Sequence, residues 1–277
     1  NLSCLFCINC CFSISVASVV LPDLYLDQEL AADSDAQETQ KAQQTDHDTT
    51  ESISHLPGVV STQMTGYGSG ASFSIRGFGG DASSNTALIV DGLSQVNASQ
   101  VASISSTYIP FNIDSINLYE QSSSVLFGNH AVGGVIELNF KPLDQQSNAL
   151  LQGFGSYNTT QSIIQLTSSH DQLSLITSLR SDYTKNYRDH NTWTSQQMRT
   201  AAGGEYDNWS WQWSIQAGDE SLELPGALSQ QQVNGDRRQS TNNQDIIDSH
   251  PLNTTFKTTI NRDQRWDYQS QFQLRSV

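Results

Sequence analysis

Ile116-Asn117-Leu118-Tyr119-Glu120-Gln121-Ser122-Ser123-Ser124-Val125-Leu126-Phe127-Gly128 leads through Asn129-His130-Ala131-Val132-Gly133-Gly134 into Val135-Ile136-Glu137-Leu138. Apolar runs of strand composition alternate here with breaks that hold Gly, Ser and Asn. Gly128, Gly133 and Gly134 suit turns that need positive φ or a close backbone approach. The same arrangement occurs upstream, at Ile75-Arg76-Gly77 and Val90-Asp91-Gly92. Working outward, the pattern predicts strands at Ala87–Val90, Ser115–Tyr119 and Gly134–Phe140, after which Pro142 blocks further pairing. There is room for short helices around 47–55 and 97–106. Gly66-Tyr67-Gly68-Ser69-Gly70 has neither the spacing nor the preceding strand of a dinucleotide loop and reads as a mobile loop.

From Ala149 the pattern changes. Trp209, Trp211, Trp213, Ile215 and Ala217 alternate with Ser210, Gln212, Ser214, Gln216 and Gly218. Successive side chains in a strand face opposite ways, so one face is apolar and the other wet. Trp266–Arg275 and Gln172–Tyr183 show the same parity. Arg180, Asp182, Arg199, Glu205, Lys257, Asp267 and Arg275 all fall on the polar face. A lipid-facing strand would require that, since Arg or Lys at the midplane costs about 2–4 kcal/mol. The segments run for roughly 9–12 residues, the span of a tilted transmembrane strand, where soluble strands run about 5–6. Tight connections at His170-Asp171, Asp207-Asn208 and Arg262-Asp263 alternate with long ones at Lys185–Thr194 and Glu220–Leu252. Tyr206, Trp209 and Trp266 lie beside the short turns, where an interfacial aromatic girdle would sit. The first two strands, near 149–157 and 161–169, are less regular: Leu150, Leu151 and Phe154 do not choose one face.

A formal net charge of −15 argues against a nucleic-acid partner, which needs a basic face. All four cysteines, Cys4, Cys7, Cys10 and Cys11, lie in an apolar N-terminal run without His or carboxylate partners, so a metal site is not expected. Residues 1–18 read instead as a truncated signal-like segment with small residues at Ser15-Val16-Ala17. Residues 19–50 form an extension whose acidic, Gln-rich part from 31 reads as a linker.

Four motifs in order resemble the plug domain of TonB-dependent outer-membrane receptors: Leu56-Pro57-Gly58-Val59, Phe73-Ser74-Ile75-Arg76-Gly77, Leu88-Ile89-Val90-Asp91-Gly92, and the opening stretch. The resemblance implies an α+β plug domain over 51–148 followed by antiparallel transmembrane β-barrel strands over 149–277. Family barrels have about twenty-two strands, and this chain supplies about seven, an incomplete barrel. The chain departs from the family at Glu120-Gln121-Ser122, where an Arg-Gly-Pro triplet is usual, so an ion pair to the barrel at Glu120 does not carry over. Leu224-Pro225-Gly226-Ala227-Leu228 and the polar run to Arg237-Arg238 are similar to loops of ferric-citrate-type receptors.

The resemblance implies energy-coupled uptake of a scarce ligand such as a ferric siderophore, a location in the bacterial outer membrane, and TonB as partner. Val19, Val20, Leu21, Pro22, Asp23, Leu24, Tyr25 and Leu26 form the candidate TonB box, which would pair by strand addition; they read equally as the tail of the signal region. Arg76 would set its guanidinium either against barrel carboxylates or on backbone carbonyls within the plug. Asp91 reads first as a side chain capping its own turn. His130, in a plug turn, is a candidate ligand contact. No catalytic constellation, cofactor or metal spacing is found among the six scattered histidines. Two other readings stand beside this one: a secreted all-β binding or adhesion protein, and a non-functional truncated receptor.

Overall fold

The computed structural model describes residues 13–15, 37–40, 49–62, 71–75, 77, 85–95, 112–119, 127, 130–261 and 267–276. β1 (Ser13–Ser15) pairs in the second unit; the first unit holds β2 (Gln37–Gln40), helix α1 (Thr49–Ser54), β3 (Val59–Thr62), β4 (Ser72–Ile75), β5 (Thr86–Val90), β6 (Leu93–Ser94), β7 (Ile113–Tyr119) and β8 (Gly134–Phe140). Five of these strands form a mixed sheet in the order β2-β7-β8-β5-β6, and β3-β4 is a separate hairpin. β5 and β8 run parallel, and β7 runs antiparallel to β8.

Every residue of β5 is buried. Leu88 and Val90 join one apolar cluster with Ile53, Phe73, Ile75, Ile136 and Leu138. Ala87 and Ile89 join another with Ala131 and Val135. The unbroken apolar run of β5 thus reflects burial on both faces, the usual state of a parallel strand. Gly134 (φ 141°) begins β8, and a Cβ there would lie 2.6 Å from the Tyr119 carbonyl oxygen and 2.7 Å from Ile75 Cδ1. Close approach of β8 to both neighbours therefore requires glycine at this position.

The second unit is a wall of long antiparallel strands: β9 (Ala149–Gly155), β10 (Thr159–His170), β11 (Leu173–Thr184), β12 (Trp193–Tyr206), β13 (Trp209–Glu223), β14 (Ile246–Ser249), β15 (Leu252–Asn261) and β16 (Asp267–Ser276). The order is β1-β16-β15-β13-β12-β11-β10-β9, with β14 also on β13, and the sheet does not close into a barrel. Turns of two residues join β10 to β11 and β12 to β13, with Asp171 at φ 52° in the first. At the opposite end, β13 and β15 are joined by a long segment carrying α2 (Gln230–Gly235) and β14.

Register places Ile163, Arg180, Gln197, Arg199 and Gln216 on one face and Leu175, Leu179, Met198, Trp213 and Phe256 on the other. The named residues of the first face are buried, whereas those of the second are exposed. A soluble sheet would cover an apolar face of this extent; a strand wall in lipid leaves it outward. Tyr206 and Trp209 stack at 4.7 Å beside the short turn. The parity of the first strand is also resolved: Leu150 and Phe154 point outward, 75% and 80% exposed, and Leu151 pairs with Ile163 on the inner face.

The inner face is less polar than the alternation suggests. Ile163, Ile176, Trp193 and Ala201 are fully buried on it. Between the units, the short turn Leu143–Gln145 lays Leu143 against β12. A Cβ on Gly203 would come within 2.8 Å of Leu143 Cδ1 and 2.9 Å of the Trp211 carbonyl oxygen.

The predicted strands at Gly134–Phe140, Ala87–Val90 and Ser115–Tyr119 are present, the latter two extended by one and two residues at their starts, and the helix near 47–55 is present as α1. The helix expected over 97–106, the loop at 66–70, the tight turn at Arg262-Asp263 and Trp266 lie outside the described residues. β2, β3, β4 and β6 carry no alternation long enough to announce them. β1, inside the signal-like segment, pairs with β16.

Candidate functional site

The plug meets the wall at the β5–β6 hairpin. Its two-residue turn, Asp91 (φ 51°) and Gly92 (φ 83°), has positive φ at both positions, the geometry that matches strand twist in a tight hairpin. Asp91 N–H donates to the Leu138 carbonyl at 2.7 Å and Gln95 N–H to that of Leu88 at 2.8 Å, which ties the turn to β8 and to its own strand. So held, the Asp91 carboxylate projects to the wall, where Lys257 Nζ lies 2.7 Å from Oδ1. The sequence favours Asp91 as a cap of its own turn; in the structure its carboxylate pairs with Lys257 of the wall.

Arg199 reaches the same place from β12. Its guanidinium carbon lies 4.5 Å from the centroid of Phe140, the last residue of β8. The residue is 3% exposed. A cavity opens between hairpin and wall, lined by Asp91, Gln95, Phe140, Arg199, Gln216 and Asn253 among others. Nearer the outer end, Arg180 and Asp182 form a fully buried pair at 2.6 Å, with Gln161 Nε2 donating to Asp182 Oδ1 at 3.1 Å. Trp193 Nε1 donates to Glu220 Oε1 at 2.8 Å.

On the plug, Asn117 Nδ2 and Tyr119 Oη both donate to Glu137 Oε2, at 3.0 and 3.1 Å. Burial, followed by the charge of Glu137 and the hydrogen bond to it, pushes the Tyr119 phenol above its ordinary range. This cluster sits at the start of the stretch that departs from the family pattern.

Beyond the wall, two connections dock as one body. Arg188 donates from Nη1 to the Gly226 carbonyl and from Nη2 to those of Pro225 and Gln239, at 3.3 and 2.9 Å. Asp189 N–H donates to the Arg238 carbonyl at 2.7 Å. The Arg238 guanidinium lies 5.7 Å from the Tyr187 ring, and His190 Nδ1 is 3.6 Å from Glu223 Oε1. Thus Leu224–Leu228 is an anchored turn, with Gly226 at φ 72°.

The structure brings Asp91 and Gly92 to the junction and places Gly133 and Gly134 at the head of β8. Gly77 (φ 74°) follows β4. His130 lies in the turn before Ala131 and is half-buried. Arg76, Gly128 and the candidate TonB box Val19–Leu26 lie outside the described residues. Among the described residues no group of His, Cys, Asp and Glu could hold a metal ion. Sequence reading did not single out Trp193, Glu220 or Arg188. Parity alone marked Lys257 and Arg199, as two of the charges that fall on the inner face.

Residues 28–135 match the family model of the TonB-dependent receptor plug domain. No curated protein is similar to the chain. Among solved structures, the ferric citrate transporter FecA in its unliganded form is similar at 19% identity and TM-score 0.71, over 94% of this chain and 43% of that one. The ferric yersiniabactin uptake receptor FyuA from Yersinia pestis is similar at 16% identity and TM-score 0.65, over 97% and 41%. The ferripyoverdine receptor of the outer membrane of Pseudomonas aeruginosa is similar at 11% identity and TM-score 0.62, over 82% and 31%. At these identities the likeness is one of fold. The chain spans less than half the length of each of these structures.

Proposed function

We propose, from a chain that carries the plug domain of TonB-dependent receptors beside strands of their barrel wall, that this protein serves energy-coupled uptake of a scarce ligand across the bacterial outer membrane. The observation that carries the reading is the junction of an Asp-Gly hairpin with an inward-charged, outward-apolar wall. A plug pinned to a lumen face by Asp91 and Lys257 is a stopper that must be moved for anything to pass. Work from outside the membrane plane is a natural means of moving it, and the Val19–Leu26 segment, β-prone in sequence, is the stretch through which TonB would pull. A ferric siderophore is the ligand class favoured, because the similar structures include a ferric citrate transporter, a ferric yersiniabactin uptake receptor and a ferripyoverdine receptor. The docked outer connections around Arg188, with Arg237 and Arg238 beside them, form the side from which an anionic iron chelate would arrive.

The test is iron uptake by cells that depend on this protein under iron limitation. Uptake should vanish when TonB is absent and fall strongly in the Leu21→Pro and Leu24→Pro variants, in which a residue with no N–H interrupts strand addition. Uptake that persists unchanged without TonB would sink the proposal. Recovery of the purified chain as a soluble monomer without detergent would sink the membrane placement separately and favour the secreted binding protein.

A further inference from the structure

Arg199 is a buried cation that the seated plug leaves unsatisfied. The residue is 3% exposed on the inner face of β12. Both of its terminal nitrogens, Nη1 and Nη2, are buried and have no hydrogen-bond partner among the described residues. The hairpin carboxylate, Asp91, makes its close ion pair with Lys257, at 2.7 Å. What lies over the guanidinium is the plug itself, through the ring of Phe140 at 4.5 Å. A ring face offsets part of a guanidinium's desolvation but accepts none of its in-plane N–H bonds. A charge sealed in this way is costlier than an apolar side chain in the same place, and costlier than the same guanidinium in water.

β12 itself carries an unused acceptor. Gln197 lies two positions from Arg199 on the same face, about 7 Å along the strand. Its Nε2 donates to Ser195 Oγ at 3.1 Å, and its Oε1 is buried without a donor. While Phe140 holds the guanidinium, both groups stay unpaired. Withdrawal of β8 uncovers Arg199 to water and frees it to turn towards Gln197. We infer that Arg199 is a release element built into the plug seat, a guanidinium kept dry and unbonded by Phe140 that regains its hydrogen bonds only when the plug moves. The seated state carries a cost that the displaced state does not, so the plug is held less firmly than its packing alone would hold it, and less work displaces it. The inference concerns the balance between seated and displaced plug; it involves neither TonB nor a transported ligand.

The experiment uses the purified full chain in detergent and reads hydrogen exchange at the Asp91, Gln95 and Lys141 amides, whose bonds to the Leu138, Leu88 and Asn112 carbonyls flank the seat. Arg199→Met keeps an extended side chain under Phe140 and removes the charge. These amides should exchange about fivefold or more slowly in Arg199→Met than in the wild type, with β10 and β11 unchanged. Arg199→Lys, which keeps the buried charge, should not slow them. Equal or faster exchange in Arg199→Met overturns the inference, because a guanidinium that merely supports the seat would loosen it when lost. Slowing of the same size in Arg199→Lys overturns it too, since charge would then not be the cause. If Arg199→Met does not fold, Gln216→Glu decides. Register sets Gln216 opposite Arg199 on β13, so the new carboxylate supplies the missing partner and should slow exchange at the same amides; unchanged or faster exchange there sinks the inference.

Discussion

Lys257 Nζ and Asp91 Oδ1, 2.7 Å apart, are separated by more than half of the chain yet close the contact between plug hairpin and wall. Both side chains are about a quarter to a third exposed, so solvent screens the pair and its net worth is about 1 kcal/mol or less. Asp91→Asn is the informative variant, because asparagine tolerates the left-handed φ that the turn requires. Asp91→Asn and Lys257→Met should each speed hydrogen exchange in β5 and β6 while leaving the wall strands unchanged. A double-mutant cycle on plug stability should show a coupling of about 0.5 kcal/mol or more. Strict additivity would show that the contact contributes nothing.

Gly134 and Gly77 share positive φ but not surroundings. Gly134→Ala drives a Cβ into the Tyr119 carbonyl and Ile75, and should destabilise the plug by more than about 2 kcal/mol, strain and overpacking combined. Nothing lies within 4 Å of a Cβ on Gly77, so Gly77→Ala should cost only the left-handed penalty of about 1–2 kcal/mol. Denaturant unfolding of the two variants distinguishes these outcomes; equal losses would contradict the packing argument.

Tyr119 makes plug stability depend on alkaline pH. Its folded-state pKa is raised, first by burial and then by Glu137. The unfolded phenol ionises first, near its usual value of about 10. The stabilising contribution is complete below that value and is lost as pH rises through the folded pKa. Tyr119→Phe should flatten the alkaline limb of a plug-stability profile above about pH 9, while the lost hydrogen bond to Glu137 lowers the neutral plateau evenly. An unchanged limb would mean another group governs it.

Arg188 holds three carbonyls of the outer connection with one planar fork. Arg188→Lys keeps the charge but not the geometry. Hydrogen exchange should accelerate at 224–228 and 237–241 in both Arg188→Lys and Arg188→Ala, with β11 to β13 protected as before. Full protection in the lysine variant would show that charge alone suffices.

Trp193 and Glu220 share a buried hydrogen bond on the inner face. Trp193→Phe removes the donor and leaves the carboxylate buried, at a cost of about 1–3 kcal/mol. Glu220→Gln should be milder, since an amide oxygen still accepts. Comparison of unfolding midpoints in detergent orders the two.

Much of this architecture was legible because two periodicities are strong. Residues 172–183 and 209–218 alternate so regularly that the inner and outer faces follow from parity, and the structure keeps each named charge of β11, β12 and β15 on the inner side. The strand at Ala87–Val90 was legible because burial on both faces leaves an unbroken apolar run, and Gly134–Phe140 because its glycine start is followed by apolar residues that Glu137 and Asn139 interrupt only singly. β3 and β4 were not, because a four-residue hairpin offers too little pattern. The junction was half legible. Asp91-Gly92 announced a turn, and Lys257 and Arg199 announced an inner face, but their meeting is set by how the plug seats, which no local pattern encodes. Trp193 was hidden for another reason: parity puts it among polar residues, and only a wall packed on its inside buries a tryptophan there.

Gly203 acts as a template for correct assembly. With Leu143 lodged against it, β12 has one inner position at which the link from the plug can settle. A slip of β12 by one residue against β13 would turn Arg199 towards lipid. A slip by two would keep the faces but offer Leu143 either Ala201 or Glu205, and neither leaves the space. Misregistered walls are thus excluded sterically by a single apolar side chain of the linker, independently of the charges at the junction.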